Sequence, residues 1–384
     1  MGRALLPARV AQNCDVARLD FPQALHAVRP YDVDMHEHPN RSDFIGALTM
    51  WALSAAPRTA VGAASADLVI LAPGIAYVPG DVERSLTCNT GVIMSGGRIT
   101  IVDAAIPEGA AAAYGAIRAR NDLPIARVID THYHLDHTYG NAYWSDRGAR
   151  PIAYAGLRAE LAKSEPELFG GGPGLWQKMS GALPELRASR PLSPSYVPSG
   201  TTFGSDGVAI AVIHPGIGHT HSDAVVWVPA KRALFTGDLV VNGPYNAVAD
   251  STIGPWIRAL DDLRALRPEI VVPGHGPAGG PELIDAQQHY FKRVTEEIDR
   301  AVASGRDVDA AIPAIHRRML ADPGTATFVN DGHLKYSGFF QFHDLAAKIY
   351  HERTNETLAR RPEAPPPAKC CGDLARNRAL EKTT

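Results

Sequence analysis

The sequence predicts an α/β fold on three observations. Short apolar runs of strand length alternate with longer helical stretches. Four of those runs end in a glycine-bearing turn that carries His or Asp. The 384 residues, 45% hydrophobic and 21% charged, suffice for a substantial core in a soluble globular protein. Net charge is −3 with histidine neutral, and no run of Lys and Arg is long enough to follow a phosphate backbone, which argues against a nucleic-acid partner. Cys14, Cys88, Cys370 and Cys371 lack zinc-knuckle spacing and read as structural or incidental.

Residues 1–34 show little periodicity, and His26, His36 and His38 have no glycine turn or strand end beside them, so they read as surface side chains. Segment 35–66 has the order of an export signal: Arg41, the short apolar run Gly46-Ala47-Leu48-Thr49-Met50-Trp51-Ala52-Leu53, then Ala64-Ser65-Ala66. It resembles a twin-arginine signal with Ser42 in the place of the second arginine. The run is too short for a stable membrane anchor. This reading predicts a periplasmic or exported protein whose mature chain starts at Asp67; the alternative is a short amphipathic helix on a cytoplasmic domain.

Residues 67–355 form the predicted folded domain. Strands are expected at 67–71 and 75–78 around Pro73-Gly74, and at 90–94 and 98–103 around the hairpin signal Ser95-Gly96-Gly97. A helix at 110–120 and a strand at 125–130 follow. An insertion at 155–199 holds a helix at 157–162, the break Gly170-Gly171-Gly172-Pro173-Gly174 and a second helix at 175–187. It is expected either to wall or lid a pocket, with the glycines as a hinge, or to be an inert elaboration. Strands at 208–213, 233–235 and 270–272 come next. Between the last two, Ile257, Leu260, Leu263 and Leu266 make a helical core stripe. Helices are expected at 283–302, 310–320 and 336–353; His289, His316, His333 and His343 there read as packed or exposed side chains. The Pro-rich, charged stretch 356–384 reads as a disordered tail.

The chemistry is concentrated in Thr131-His132-Tyr133-His134-Leu135-Asp136-His137-Thr138-Tyr139-Gly140-Asn141, directly after the apolar run Val128-Ile129. Packing gives no reason to gather so many groups that are costly to bury at one strand end, whereas metal binding does. Gly218-His219-Thr220, Thr236-Gly237-Asp238 and Pro273-Gly274-His275-Gly276 each follow another apolar run. Five His and two Asp thus stand at strand ends.

With these pieces in this order, the chain resembles the metallo-β-lactamase-fold hydrolase superfamily, from Leu68 to Pro281. The resemblance implies an αββα sandwich, two mixed β-sheets covered by helices on both outer faces. It also implies two Zn2+ per chain: His132, His134 and His219 around the first, Asp136, His137 and His275 around the second, and Asp238 between them. Asp103 closes a strand near the place where the family sets an acid behind the ligands. Asp136 and Tyr245 are the implied catalytic residues, Tyr245 as a hydrogen-bond donor to substrate oxygen. Lactamases with a metal-bound cysteine have Arg after the Asp and Cys in the bridging place; His137 and Asp238 here are similar to the glyoxalase II and lactonase-like ligand set. The segment from Gly218 to Pro229 nevertheless resembles true lactamases.

The implied activity is hydrolysis of a small ester, thiolester or lactone by a hydroxide bridging the two zinc ions. No Gly-x-Ser-x-Gly elbow is present to supply a serine nucleophile. One alternative is a β-lactamase, although Val241 stands where cysteine-type lactamases place a lysine for the drug's carboxylate. Another is an iron-dependent sulfur oxidoreductase. Di-iron members of that kind carry a carboxylate in the place of His134, and persulfide enzymes lack a complete second site.

Overall fold

The computed structural model describes residues 67–80, 88–182, 186–187, 190–204, 208–329 and 338–355. The export-signal segment, His26, His36, His38, His333, Cys14, Cys370, Cys371 and the tail lie outside the described residues. Two mixed β-sheets dominate. The first runs in chain order: β1 (Val69–Ala72), β2 (Ile75–Val78), β3 (Thr90–Ser95), β4 (Arg98–Val102), β5 (Ile125–Asp130), β6 (Arg150–Tyr154) and β7 (Ser195–Val197). Its hairpin half is antiparallel, and β4 through β7 pair in parallel. The second comprises β8 (Thr201–Phe203), β9 (Ile210–Ile213), β10 (Val225–Val228), β11 (Ala233–Gly237) and β12 (Ile270–Pro273), in the order β12-β11-β10-β9-β8. Only β11 and β12 pair in parallel there.

Neighbouring residues of the first sheet explain its continuous apolar runs, because strands buried on both faces need no polar alternation. Ile93, Val102 and Ile129 point to the second sheet and meet Val212, Val226, Phe235 and Val272. Their neighbours Val92, Ile101 and Val128 point outward to α1 (Pro107–Arg118), through Ala110, Ala113 and Ile117, and to Trp144. The two sheets approach closely at Gly91, where a Cβ would lie 2.5 Å from the Phe235 ring.

Ligand-bearing loops leave β5, β9, β11 and β12. After β5 come two short helices, α2 (Leu135–Thr138) and α3 (Asn141–Ser145). The insertion contributes α4 (Leu157–Ser164), a 3-10 turn at Pro166–Phe169 and α5 (Leu175–Ala182), and it also supplies β7, too short to be read from periodicity. Between β11 and β12, α6 (Ile253–Ala265) buries Trp256, Ala259, Leu260 and Leu263. The stripe is therefore rotated from the expected one: Trp256 replaces Ile257, because its Nε1 donates to Leu239 O at 3.0 Å.

The described chain divides into two compact units. The larger holds both sheets and ends at Gln287; the smaller comprises 243–248 and the residues from Gln288 onward. Its helices are the greater part of α7 (Glu282–Ala303), then α8 (Val308–Ala321), α9 (Ala326–Val329) and α10 (Gly338–Thr354). Within that unit Tyr290 and Phe328 stack at 4.8 Å, and Glu297 accepts from Arg300 and Arg318 at 2.7 and 2.6 Å. His316 and His343 are buried there. Among the described residues no helix is long and apolar enough to cross a membrane.

Candidate metal centre

The loop after β5 is stitched to the end of the adjacent strand β4. Asp103, in left-handed backbone at φ 64°, accepts from the Thr131 amide at 2.8 Å and the Thr131 hydroxyl at 3.1 Å. Its Oδ2 also faces His137 Nδ1 at 3.0 Å. Ala104 N donates to His137 O, and Gly140 N donates to Ala105 O. That last contact requires glycine, since a Cβ at residue 140 would lie 2.1 Å from Ala104 O. The expectation of an acid behind the ligands at Asp103 is thus given a geometry: it directs His137 so that Nε2 faces the other donors.

All seven strand-end side chains converge. His132, His134, His219 and Asp238 offer donor atoms within 4.8 Å of one another, and so do Asp136, His137 and His275. Asp238 links the two groups. One oxygen is 3.3 Å from His137 Nε2, and the other is 3.5 Å from both His219 Nε2 and His275 Nε2. Asp136 Oδ2 lies 3.2 Å from His275 Nε2 and 3.5 Å from His137 Nε2. His134 presents Nδ1 to His219 Nε2 at 3.0 Å. His132 Nε2 and Asp238 Oδ1 are buried with no hydrogen-bond partner. Orphaned donors at the focus of such a cluster are what a bound cation satisfies.

The electrostatics differ from one histidine to the next: His134, against the effect of burial, is held above its usual value by Asp250. Burial and the imidazoles of His137 and His134 hold His132 well below its usual pKa; burial brings His219 down to about 4. Both are therefore neutral, the form that ligates a metal. Burial works against charge on His275 too, but Asp238 and Asp136 outweigh it and push this histidine up to about 9. Asp238 is correspondingly held well below the carboxylate range by His275 and His137, against the effect of burial.

Two further residues belong to the site. Asp250, in the loop before α6, accepts from Tyr133 Oη at 2.6 Å and faces His134 Nε2 at 3.1 Å. No strand or glycine turn precedes it; the signal was chemical, because a His that ligates through Nδ1 needs an acceptor for its other ring nitrogen. Cys88, read from sequence as structural or incidental, is buried against Asp103 and His137, and burial pushes its thiol up to about 12. Tyr245 is not among the residues these contacts join. It belongs to the smaller unit, where its amide donates to Gly243 O at 2.9 Å.

The sequence profile of the metallo-beta-lactamase superfamily matches residues 84–275. A metallo-beta-lactamase type 2 of Bacteroides fragilis is 30% identical over 181 residues, covering 46% of this chain and 63% of that protein. The chain spans 55% of the length of a second such enzyme, from a Bacillus species, at 29% identity. An atrochrysone carboxyl ACP thioesterase of Aspergillus fumigatus is 25% identical over 272 residues, covering 68% of this chain and 73% of that protein. Among solved structures, DIM-1 metallo-beta-lactamase aligns at 23% identity with a TM-score of 0.46, over 59% of this chain and 96% of that one. The profile match takes in half of the chain and every one of the seven converging side chains, and the chain belongs to the metallo-beta-lactamase superfamily.

Proposed function

We propose that the protein is a hydrolase that holds two zinc ions and cleaves a small ester, thiolester or lactone. The observation that carries this reading is the pair of donor groups sharing Asp238, with His132 Nε2 and Asp238 Oδ1 orphaned at their focus. Imidazole and carboxylate donors in this mixture suit zinc. His132, His134 and His219 would hold one ion, Asp136, His137 and His275 the other, and Asp238 both. Such ions supply Lewis acidity towards a carbonyl and lower the pKa of water towards neutrality.

The chain's own residues prepare that chemistry. Asp250 and Asp103 fix the ring orientations of His134 and His137. Asp136 is the more exposed of the two ligand carboxylates, 15% against 6% for Asp238, and so is the one placed to take a proton from the solvent side. Tyr245 is proposed, on its place in sequence just beyond Asp238, to donate to the substrate oxygen.

A second reading, β-lactamase, is favoured by the lactamases among the relatives. Against it stands Val241, which is buried, with its amide directed to Gln287 Oε1 at 3.3 Å. A charge-assisted contact to the drug's carboxylate is worth about 1.5–3 kcal/mol, so its absence predicts a loss on the order of 10–150-fold. Lys231 sits in the 3-10 turn before β11 and Arg258 on α6, neither at that position. The test is a panel of thiolesters, esters and lactones run beside a chromogenic cephalosporin on the zinc-loaded protein. An acyl ester, thiolester or lactone should show the highest kcat/KM, and Tyr245→Phe should lower it with zinc content unchanged. If the cephalosporin is the best substrate, the lactamase reading replaces this one.

A further inference from the structure

The insertion is built around one carboxylate. Glu165, between α4 and the 3-10 turn, is 1% exposed. Its Oε1 accepts from the Tyr139 hydroxyl and from the Trp176 amide, the latter at 2.9 Å, while Oε2 is buried without a partner. Glu167 and Lys178 are the charged groups that act on it from the same insertion. Of the four glycines expected to form a hinge, Gly171 and Gly174 serve close packing, whereas an added Cβ at Gly170, at φ 83°, or at Gly172 would meet nothing within 4 Å. A Cβ at Gly174 would fall 2.1 Å from Glu165 Oε2 and 2.8 Å from its Cα, and one at Gly171 would fall 2.9 Å from Pro166 Cβ.

Around this carboxylate, Leu175, Trp176, Met179 and Leu186 pack against Ile106, Leu135 and Tyr139. Leu135 and Tyr139 are four apart and share one side of the α2 turn. That turn carries Asp136 and His137, and it is closed by Tyr139 N donating to Leu135 O at 3.0 Å. The insertion therefore bears on the back of the ligand turn. His132 and His134 precede the turn and are held by Thr131 and Asp250, not by Glu165 or Tyr139, although Tyr133 between them packs against Leu157 and Leu161 of the insertion.

We infer that the insertion is a brace rather than a lid, and that Glu165 is a positioning residue which, through Tyr139, sets the geometry of Asp136 and His137 and so governs metal affinity at the second group alone. The metal part of this inference rests on the two-ion reading above; the brace itself does not. Loss of Glu165 should loosen residues 135–140 without loosening the strands. It should also release the zinc held by Asp136, His137 and His275 while leaving that held by His132, His134 and His219.

The test uses the full chain with Glu165→Ala, Glu165→Gln and Tyr139→Phe. In metal-free protein, amide exchange at 135–140 should accelerate on the order of tenfold in Glu165→Ala, with β5 and β9 unchanged. After equilibration with a weak chelator, zinc should fall from two per chain to one. Glu165→Gln keeps the acceptor and should accelerate neither exchange at 135–140 nor zinc loss, whereas Tyr139→Phe, which keeps the packed ring, should behave as Glu165→Ala and decides the matter should that variant not fold. Wild-type exchange at 135–140 in both Glu165→Ala and Tyr139→Phe would overturn the inference, as would zinc lost equally from both groups or faster exchange throughout both sheets. A wild type that holds a single zinc would instead defeat the two-ion reading, and the exchange result would then decide the brace by itself.

Discussion

His134 shows how a single side chain is specified. It turns Nδ1 to the other ligands because Asp250 takes its Nε2, whereas His132 turns its own Nδ1 to Thr131 and leaves Nε2 for the cluster. Glu165 gives the residue scale a pH signature. Burial, only partly relieved by Tyr139 and the Trp176 amide, raises it from 4.5 to about 6. Below pH 4.5 folded and unfolded chains both carry the proton, and its stabilising contribution is complete. Between the two values only the folded chain keeps it, so stability falls as pH rises, and above about 6 the loss is complete at no more than about 2 kcal/mol. Glu165→Gln cannot ionise. In urea unfolding of metal-free protein it should match wild type at pH 4 and exceed it by up to about 2 kcal/mol at pH 7; a gap independent of pH would contradict the assignment. The seven donors were legible because each follows an apolar strand and three of them, His219, Asp238 and His275, sit beside a glycine. Asp250 and Cys88 were not: their partners lie far along the chain, Tyr133 117 residues from Asp250, and nothing local marks them.

At the scale of elements, the ligand turn depends on how closely it approaches the end of β4. Gly140→Ala would drive a Cβ to 2.1 Å from Ala104 O and 2.9 Å from Ala105 O, both backbone atoms that cannot rotate away. It should cost about 3 kcal/mol, the upper end for overpacking. The denaturant midpoint measures this, and a change below about 0.5 kcal/mol, that of an ordinary surface substitution, would contradict the stitching of 103–105 to 137–140. Some long elements were readable within a residue: the strand at 125–130 is β5, and the helix expected at 283–302 is Glu282–Ala303, whereas the helix expected at 110–120 is Pro107–Arg118 and the one expected at 175–187 ends at Ala182. The three-residue strands β7 and β8 were not, being too short to show a period. Sequence shows that the glycine run is present, but not that Gly171 and Gly174 are there for close contact while Gly170 and Gly172 are not.

At the scale of the molecule, the two sheets of the larger unit gather the ends of β5, β9, β11 and β12, so that side chains from His132 to His275 meet at one place. Asp238 is the carboxylate whose two oxygens face both donor groups, and the two-ion reading stands or falls on it. Elemental analysis of wild type and Asp238→Ala, each purified without added metal, is the most direct measurement. The account predicts two zinc ions per wild-type chain and loss from both groups in the variant. One iron and no zinc in the wild type, or a variant that still holds two zinc ions, would contradict it.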